Sequence, residues 1–316
     1  MGNSETGGKR RLIKRIVVFV LSVLFLTSTA VVGISVYAGN ALLHPEREAI
    51  RDTPGEFGLS YTDVEFESSL DGALLQGWWV PAQRDGKVAA SPKTVIFSHG
   101  YGDCRDMSSI GALNLAVCLA AEGYNILLFD YRDSGESGGN LTTVGHNEKY
   151  DMLSAISLAK NLGSEKIAIL GWSMGASVAI TAGTESPHVY AIIADSPFAD
   201  LTDYLKSNLQ VWSELPSVPF TPVIMTVLPA LSGVDPESVS PSRSVAGLGG
   251  RGLLLIHGKA DKAIPYTDSE KIFDAAPNKE NAELWEPEGA GHVQSYKLYR
   301  DEYEERVKHF LAKHLA

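Results

Sequence analysis

Residues 166–180 read Lys-Ile-Ala-Ile-Leu-Gly-Trp-Ser-Met-Gly-Ala-Ser-Val-Ala-Ile. The run from Ile167 to Leu170 is apolar without alternation, as a strand covered on both faces should be, and the small residues after Ser173 suit a buried helix. Between them lies Gly171-Trp172-Ser173-Met174-Gly175, a G-x-S-x-G turn. Such a turn holds its serine on strained backbone, too tight for side chains two positions to either side. The Ser173 hydroxyl then points out at the carboxyl end of a sheet, at the start of a helix, with the backbone N–H of Met174 free to bind an oxyanion. The rival reading, a glycine-rich turn whose serine is only a cap, is weighed by what the rest of the chain supplies.

Working outward, strand and helix patterns alternate on both sides of this turn. Strands are expected at 94–98, 124–130, 191–195, 252–257 and 282–286, and helices at 106–122, 142–162, 267–276 and 295–315. Two further strands, 59–68 and 73–81, meet at Asp71-Gly72, a hairpin signal, and a polar loop follows at 83–92. This alternation specifies an α/β fold: a mostly parallel, eight-stranded sheet with helices on both faces. It lapses between Pro197 and Gly250. Leu201, Tyr204, Leu205, Leu209 and Trp212 recur near helical spacing there, and a connection this long in a compact domain is usually functional. Residues 197–250 therefore read as a lid insertion over a substrate pocket, the alternative being extra core helices.

The amino-terminal segment is of another kind. Lys9, Arg10, Arg11, Lys14 and Arg15 outweigh Glu5 to give +4, which leaves −15 of the net −11 for everything beyond residue 15. An acidic body of that size makes nucleic acid a poor partner. Residues 16–38 carry no charge, and 23 residues at about 1.5 Å each make roughly 34 Å, enough to cross a hydrocarbon core of about 30 Å. The expected organisation is a basic cytoplasmic tail (1–15), a transmembrane signal-anchor (16–38), a surface linker (39–58) and one domain (59–316) beyond the membrane. A cleaved signal peptide ending at Ala30 or Ala38 is the competing reading, and would release a secreted protein. Met1-Gly2-Asn3-Ser4-Glu5-Thr6 matches a myristoylation pattern, which beside an intrinsic membrane segment reads as coincidence. Cys104 and Cys118 lack metal-ligand spacing and define no disulfide framework.

A serine hydroxyl needs a base, and the base needs a carboxylate to fix its tautomer. Of the eight histidines, His292 lies in Gly289-Ala290-Gly291-His292, after the last strand and before the last helix, which returns it to the sheet edge of Ser173. Asp261 follows the preceding strand by a few residues and can reach His292 across adjacent loops; Asp195 is the reserve carboxylate. The second oxyanion donor should come from the loop after the first parallel strand, Phe97-Ser98-His99-Gly100-Tyr101-Gly102, where the N–H of Tyr101 is placed for it and His99 reads as an anchor of the loop.

With these residues in hand the chain resembles the α/β-hydrolase superfamily from about residue 59 onward, and the order Ser173, Asp261, His292 is that family's order. More narrowly, His99-Gly100-Tyr101-Gly102, Asp130-Tyr131-Arg132-Asp133-Ser134-Gly135-Glu136-Ser137, the serine turn and Asp195-Ser196-Pro197-Phe198-Ala199-Asp200 resemble the branch shared by serine aminopeptidase-like enzymes, monoglyceride lipases and membrane-anchored α/β-hydrolase-domain esterases. One departure is Asp133, where the family often has glycine; aspartate tolerates left-handed backbone better than most residues. The resemblance implies Ser173 as nucleophile, His292 as base, Asp261 as acid, and Tyr101 and Met174 as oxyanion donors, with no metal or organic cofactor. The expected activity is cleavage of carboxylic esters or thioesters with a lipophilic acyl group. The partners are then an acyl substrate and the membrane. A small-peptide peptidase is the alternative, kept open by the acidic residues Asp203, Glu214, Asp235 and Glu237. A membrane-tethered binding module on the same fold is the non-enzyme one.

Overall fold

The computed structural model describes residues 3–84 and 86–316. Eight strands form the main sheet: β1 (Thr62–Glu67), β2 (Leu74–Val80), β3 (Lys93–Ser98), β4 (Asn125–Phe129), β5 (Lys166–Trp172), β6 (Val189–Asp195), β7 (Gly252–Ile256) and β8 (Ala282–Trp285). Their spatial order is β1-β2-β4-β3-β5-β6-β7-β8; β1 and β2 pair antiparallel, β2 meets β4 antiparallel, and every later pairing is parallel. The alternation of apolar runs predicted this mostly parallel sheet, and its arrangement is the α/β-hydrolase fold that the resemblance implied.

Helices cover both faces. On one, α2 (Ala112–Ala121) and α8 (Arg300–His314) pack against Val95, Phe97, Leu128, Leu170 and Ile193. On the other, α3 (Glu148–Asn161), α4 (Met174–Glu185) and α7 (Thr267–Ala275) pack against Ile96, Leu127, Ile169, Ile192 and Leu255. Alternate residues of each strand feed opposite layers, so runs such as 167–170 must be apolar throughout.

Register decides where the loops emerge. Ser98 pairs with Gly171, and Trp172, Asp195, Ile256 and Trp285 form one row across β5 to β8. The segments that follow, from residues 99, 173, 196, 257 and 286, therefore start side by side at a single carboxyl-terminal edge.

Several boundaries differ from expectation for identifiable reasons. The helix expected from Thr142 begins at Glu148, because the buried Glu148 carboxylate accepts the Thr143 N–H, the Thr143 hydroxyl and the Gly145 N–H at 2.6–2.7 Å and holds 143–145 as a loop. The terminal helix is broken at Tyr299 into Ser295–Leu298 and α8. Within the polar loop 83–92, Gln83–Arg84 pairs with Lys87–Val88; Asp85 between them lies outside the described residues.

The amino-terminal helix α1 runs Asn3–Leu43, past the residues expected to span a membrane and into those expected as linker. Met1 and Gly2, which begin the expected tail and the myristoylation match, lie outside the described residues. Length and composition make α1 a candidate membrane span. Beyond it, residues 44–58 lie along the body, pinned by Asp106, which accepts the N–H groups of Arg51 and Asp52 at 2.7 and 3.2 Å. Arg47 pairs with Asp133 at 3.1 Å. Asp133 has φ 57°, the left-handed backbone that its departure from glycine required.

In the expected lid region, α5 (Leu201–Ser213) and α6 (Ser217–Ser232) meet at 115° and lie at the Ser173 edge. Residues 241–248 instead turn back into the main core, where Val245 and Leu248 are buried beside Ile192 and Leu253.

Candidate active site

Ser173 sits between β5 and α4 with φ 57° and ψ −122°, a conformation disfavoured for a side-chain-bearing residue and worth about 1–3 kcal/mol of local strain. The flanking glycines permit it. A Cβ on Gly175 would lie 2.1 Å from the Ser98 carbonyl oxygen, and one on Gly171 would lie 2.3 Å from that of Gly175. The Ser173 N–H donates to the Asp195 carbonyl at 2.9 Å, so the strained turn is tied to the next strand.

The Ser173 hydroxyl donates to His292 Nε2 at 2.8 Å, and His292 Nδ1–H donates to Asp261 Oδ2 at 2.7 Å. Thus three residues separated by 31 to 119 positions in sequence meet in one hydrogen-bonded chain. The loops that bring them are stitched together: Ala260 N–H donates to the Ala290 carbonyl at 2.9 Å. Val293, next to the histidine, is held at φ 51°, unusual for a β-branched residue, while its N–H donates to Ser196 Oγ at 3.3 Å.

Asp261 is saturated. Its Oδ1 accepts from the N–H groups of Ala263 and Ile264 at 2.8 and 2.9 Å, and its side chain is fully covered. Burial alone would raise its pKa. Hydrogen bonds from His257 and His292, the His292 charge and the Ile264 N–H outweigh that and hold it well below the usual carboxylate range. The carboxylate therefore stays ionised and fixes the His292 proton on Nδ1, which leaves Nε2 to accept.

His257 is a partner the sequence reading passed over. Fully buried at the end of β7, it lies 3.2 Å by Nε2 from Asp261 Oδ2 and 3.1 Å from the Ile264 carbonyl. Both partners accept, so Nε2 carries the proton and Nδ1 accepts from Ser269 Oγ at 2.7 Å. Its signal was the His257–Asp261 spacing of four residues just past a strand.

Asp195, the reserve carboxylate, is not brought to the imidazole. It is buried behind Ser173, with Oδ1 accepting from the Ser196 hydroxyl at 3.0 Å. Oδ2 and the nearby Tyr303 hydroxyl close no hydrogen bond. Burial raises its pKa to about 6 against that hydrogen bond and the proximity of His257 and His292.

The loop after β3 lies against the serine: a Cβ on Gly100 would sit 3.5 Å from Ser173 Cβ. His99, fully buried, donates from Nδ1 to the Gly100 carbonyl at 2.8 Å and accepts the Tyr131 N–H on Nε2 at 2.9 Å, fixing that loop. The N–H groups of Tyr101 and Met174 close no bond to another backbone group outside regular elements among the described residues, so both are open to a ligand beside the serine. The Tyr101 hydroxyl points away and donates to the Leu42 carbonyl at 2.7 Å; burial, with Asp133 adding, raises its pKa to about 12, so it remains a neutral donor.

Ser173 and Met174 open onto a pocket walled by Tyr101, Phe198, Tyr204, Leu209, Trp212 and Leu228, with Leu42 and Leu43 of α1 completing it. Thr143 and Val144 also contribute, from the loop read in sequence as helix. Among the described residues, no charged side chain lines this pocket. Asp203, Glu214, Asp235 and Glu237 are all exposed and absent from it. Cys104 and Cys118 are free thiols, and burial, with Asp106 adding, pushes the Cys104 thiol far up.

A model of the prolyl oligopeptidase family matches residues 112–316, which include the serine turn, Asp261 and His292. This chain belongs to the prolyl oligopeptidase family. As such it is an α/β hydrolase, and family and fold together support a serine hydrolase. Among relatives, the uncharacterised protein YqkD of Bacillus subtilis is 32% identical over 225 residues, covering 70% of this chain and 72% of the relative. The uncharacterised protein YfhR of Escherichia coli K12 is 26% identical over 298 residues, covering 92% and 93%. Among solved structures, the Pyrococcus furiosus esterase Pf2001 superposes with a TM-score of 0.70 at 27% identity, covering 87% of this chain and 100% of that one.

Proposed function

We propose that this family member cleaves carboxylic esters or thioesters of lipophilic acyl groups through an acyl-enzyme on Ser173. His292 Nε2 takes the hydroxyl proton as Oγ attacks the carbonyl carbon. The resulting oxyanion is held by the N–H groups of Tyr101 and Met174, and Asp261 stabilises the imidazolium by accepting its Nδ1 proton in a hydrogen bond. Collapse expels the alcohol or thiol, which leaves with the proton from His292. Water, deprotonated by the same nitrogen, then releases the acid and restores the hydroxyl. Removing one oxyanion donor typically costs about 3 kcal/mol in the transition state, so both should matter.

One observation carries the reading: a Ser173 Oγ at 2.8 Å from an imidazole oriented by a buried carboxylate opens into an uncharged, apolar chamber. Ester cleavage by the similar Pyrococcus furiosus esterase supports the acyl chemistry. Peptide cleavage is the second reading, favoured by the family's description. Against it, a free amino terminus would find no carboxylate among the pocket walls. The test is labelling by a fluorophosphonate probe together with turnover of acyl esters of rising chain length and of aminoacyl amides. Labelling confined to Ser173, and ester turnover rising with chain length, is the expected result. Ser173→Ala should abolish both while stability stays within about 1 kcal/mol. An unlabelled, folded protein would overturn the mechanism, and preferential amide turnover would overturn the substrate class.

A further inference from the structure

The wall of the Ser173 pocket is continuous with α1, the candidate membrane span. From residue 8 to Ala30, α1 is exposed on every side; from Val31 onward one stripe is covered, with Ser35, Gly39 and Leu43 buried at intervals of four. That stripe packs on α6: a Cβ on Gly39 would lie 3.8 Å from Ile224 and 4.0 Å from Leu228. A hydrocarbon core takes about 20 helical residues, so a span counted from Ile16, just past the basic cluster, ends near Ser35. Val31 lies four residues before that point. The junction of α5 and α6 therefore stands at the bilayer boundary.

The junction is built for that position. From residue 207 to residue 234 the single charged residue is Glu214. Val211 and Val218 are 50% and 78% exposed, and Trp212 is 37% exposed, with Tyr37 of α1, at 78%, beside Trp212; Val218 lines a separate hollow with Lys206. Soluble surfaces seldom expose this many apolar side chains around one junction, and a tryptophan and a tyrosine here match the aromatic residues that gather at membrane interfaces.

A second apolar groove runs between α1 and this junction, walled by Ile34, Tyr37, Ala38 and Leu215. It shares Leu42, Tyr101 and Trp212 with the Ser173 pocket. Those three side chains thus form the partition between a groove at bilayer depth and the chamber of the reactive serine. Tyr101 holds the partition to α1 through its bond to the Leu42 carbonyl and meets Trp212 edge to face at 5.7 Å between ring centroids.

We infer that the α5–α6 junction rests in the outer part of the bilayer and that the acyl chain of a membrane-dissolved amphiphile enters sideways, along the groove between α1 and Trp212, to reach Ser173. This rests on the proposed acyl-hydrolase reading and adds its route and its substrate phase. A chain taken from hydrocarbon into an apolar chamber need never cross water, which spares the cost of exposing each methylene to it.

The experiment uses the full chain reconstituted in phosphatidylcholine vesicles with two esters of one leaving group. Methylumbelliferyl oleate is dissolved in the bilayer, and methylumbelliferyl acetate is added from water. Ala38→Trp fills the groove from a position that does not itself line the Ser173 pocket, and Val218→Asp places a charge on the junction. Each variant should keep acetate turnover within about twofold and lose oleate turnover by about tenfold or more, the charge because an ionised carboxylate is disfavoured where the junction meets the hydrocarbon. Equal loss of both esters in Val218→Asp, or oleate turnover unaffected in both variants, would overturn the inference. Should Ala38→Trp misfold and lose acetate turnover, the Val218→Asp result decides. Failure of the unmodified protein to turn over either ester would instead overturn the hydrolase reading itself.

Discussion

Replacing Asp195 by asparagine should make the protein more stable at alkaline pH than the natural chain. The Asp195 carboxyl is fully buried, and burial lifts its pKa from 3.8 to about 6 despite the Ser196 hydrogen bond. A carboxyl whose pKa rises on folding gives its full contribution only below the unfolded value, and loses it as pH climbs through the folded one. Above about pH 7 the fold therefore carries a buried carboxylate that costs about 3 kcal/mol, at about 1.4 kcal/mol per pH unit. Asparagine keeps an oxygen for Ser196 and cannot ionise. The stability difference between variant and natural chain should widen by about 3 kcal/mol from about pH 4 to about pH 8, or roughly 6 °C in Tm for a domain of this size. Thermal unfolding of both full chains in the same detergent across that range measures it. Taking the difference cancels the opposite contribution of Asp261, whose lowered pKa stabilises above the unfolded carboxylate range and is lost as pH falls below it. A difference that stays flat with pH would refute the claim that a buried, ionisable carboxyl sits behind the serine turn.

Two substitutions test the frame around the site. Gly175→Ala would press a methyl into the Ser98 and His99 carbonyls, 2.1 and 2.4 Å from the ideal Cβ, and should destabilise by more than about 3 kcal/mol, read as a lowered Tm with loss of fluorophosphonate labelling. Asp151→Ala would remove the buried carboxylate to which the Arg132 N–H, Nε and Nη2 all donate and leave the guanidinium only the half-exposed Asp71 at 3.0 Å; breaking a buried pair costs about 3–5 kcal/mol at most, which should lower Tm by up to about 10 °C.

What the sequence made legible was what is written in local pattern. The strands at 166–172 and 252–256 announce themselves because burial on both faces demands unbroken apolar runs. His292 and Asp261 were found because a parallel sheet sends the loops after neighbouring strands to one edge, so position in the alternation was enough. The Thr143–Gly145 loop was not legible: its residues continue a helical pattern, and only the burial of Glu148 shows that they are held open. The cap was half legible. The apolar residues of 201–212 have helical spacing, whereas α6 carries Pro222 and Pro229 inside it and is a helix kept by packing against α1 rather than by propensity. The pocket wall formed by Leu42 and Leu43 had no local signal at all, because it arises from contact between segments nearly two hundred residues apart.

That wall bears on the choice between an anchor and a cleaved leader more directly than hydropathy does. Release of the chain after Ala30 or Ala38 would leave Leu42 and Leu43 on a remnant of α1 of 13 or five residues, too short to hold a helix alone. The Tyr101 hydroxyl would lose the Leu42 carbonyl that orients it, and the buried stripe of α6, Ile224 and Leu228, would face water. The loop carrying a proposed oxyanion donor would then lie between an open chamber and solvent. On the proposed reading the retained helix is thus a component of the catalytic chamber, and the enzyme's position at the bilayer and its preference for apolar acyl groups have one structural cause: α1 both emerges from the membrane and closes the pocket over Ser173.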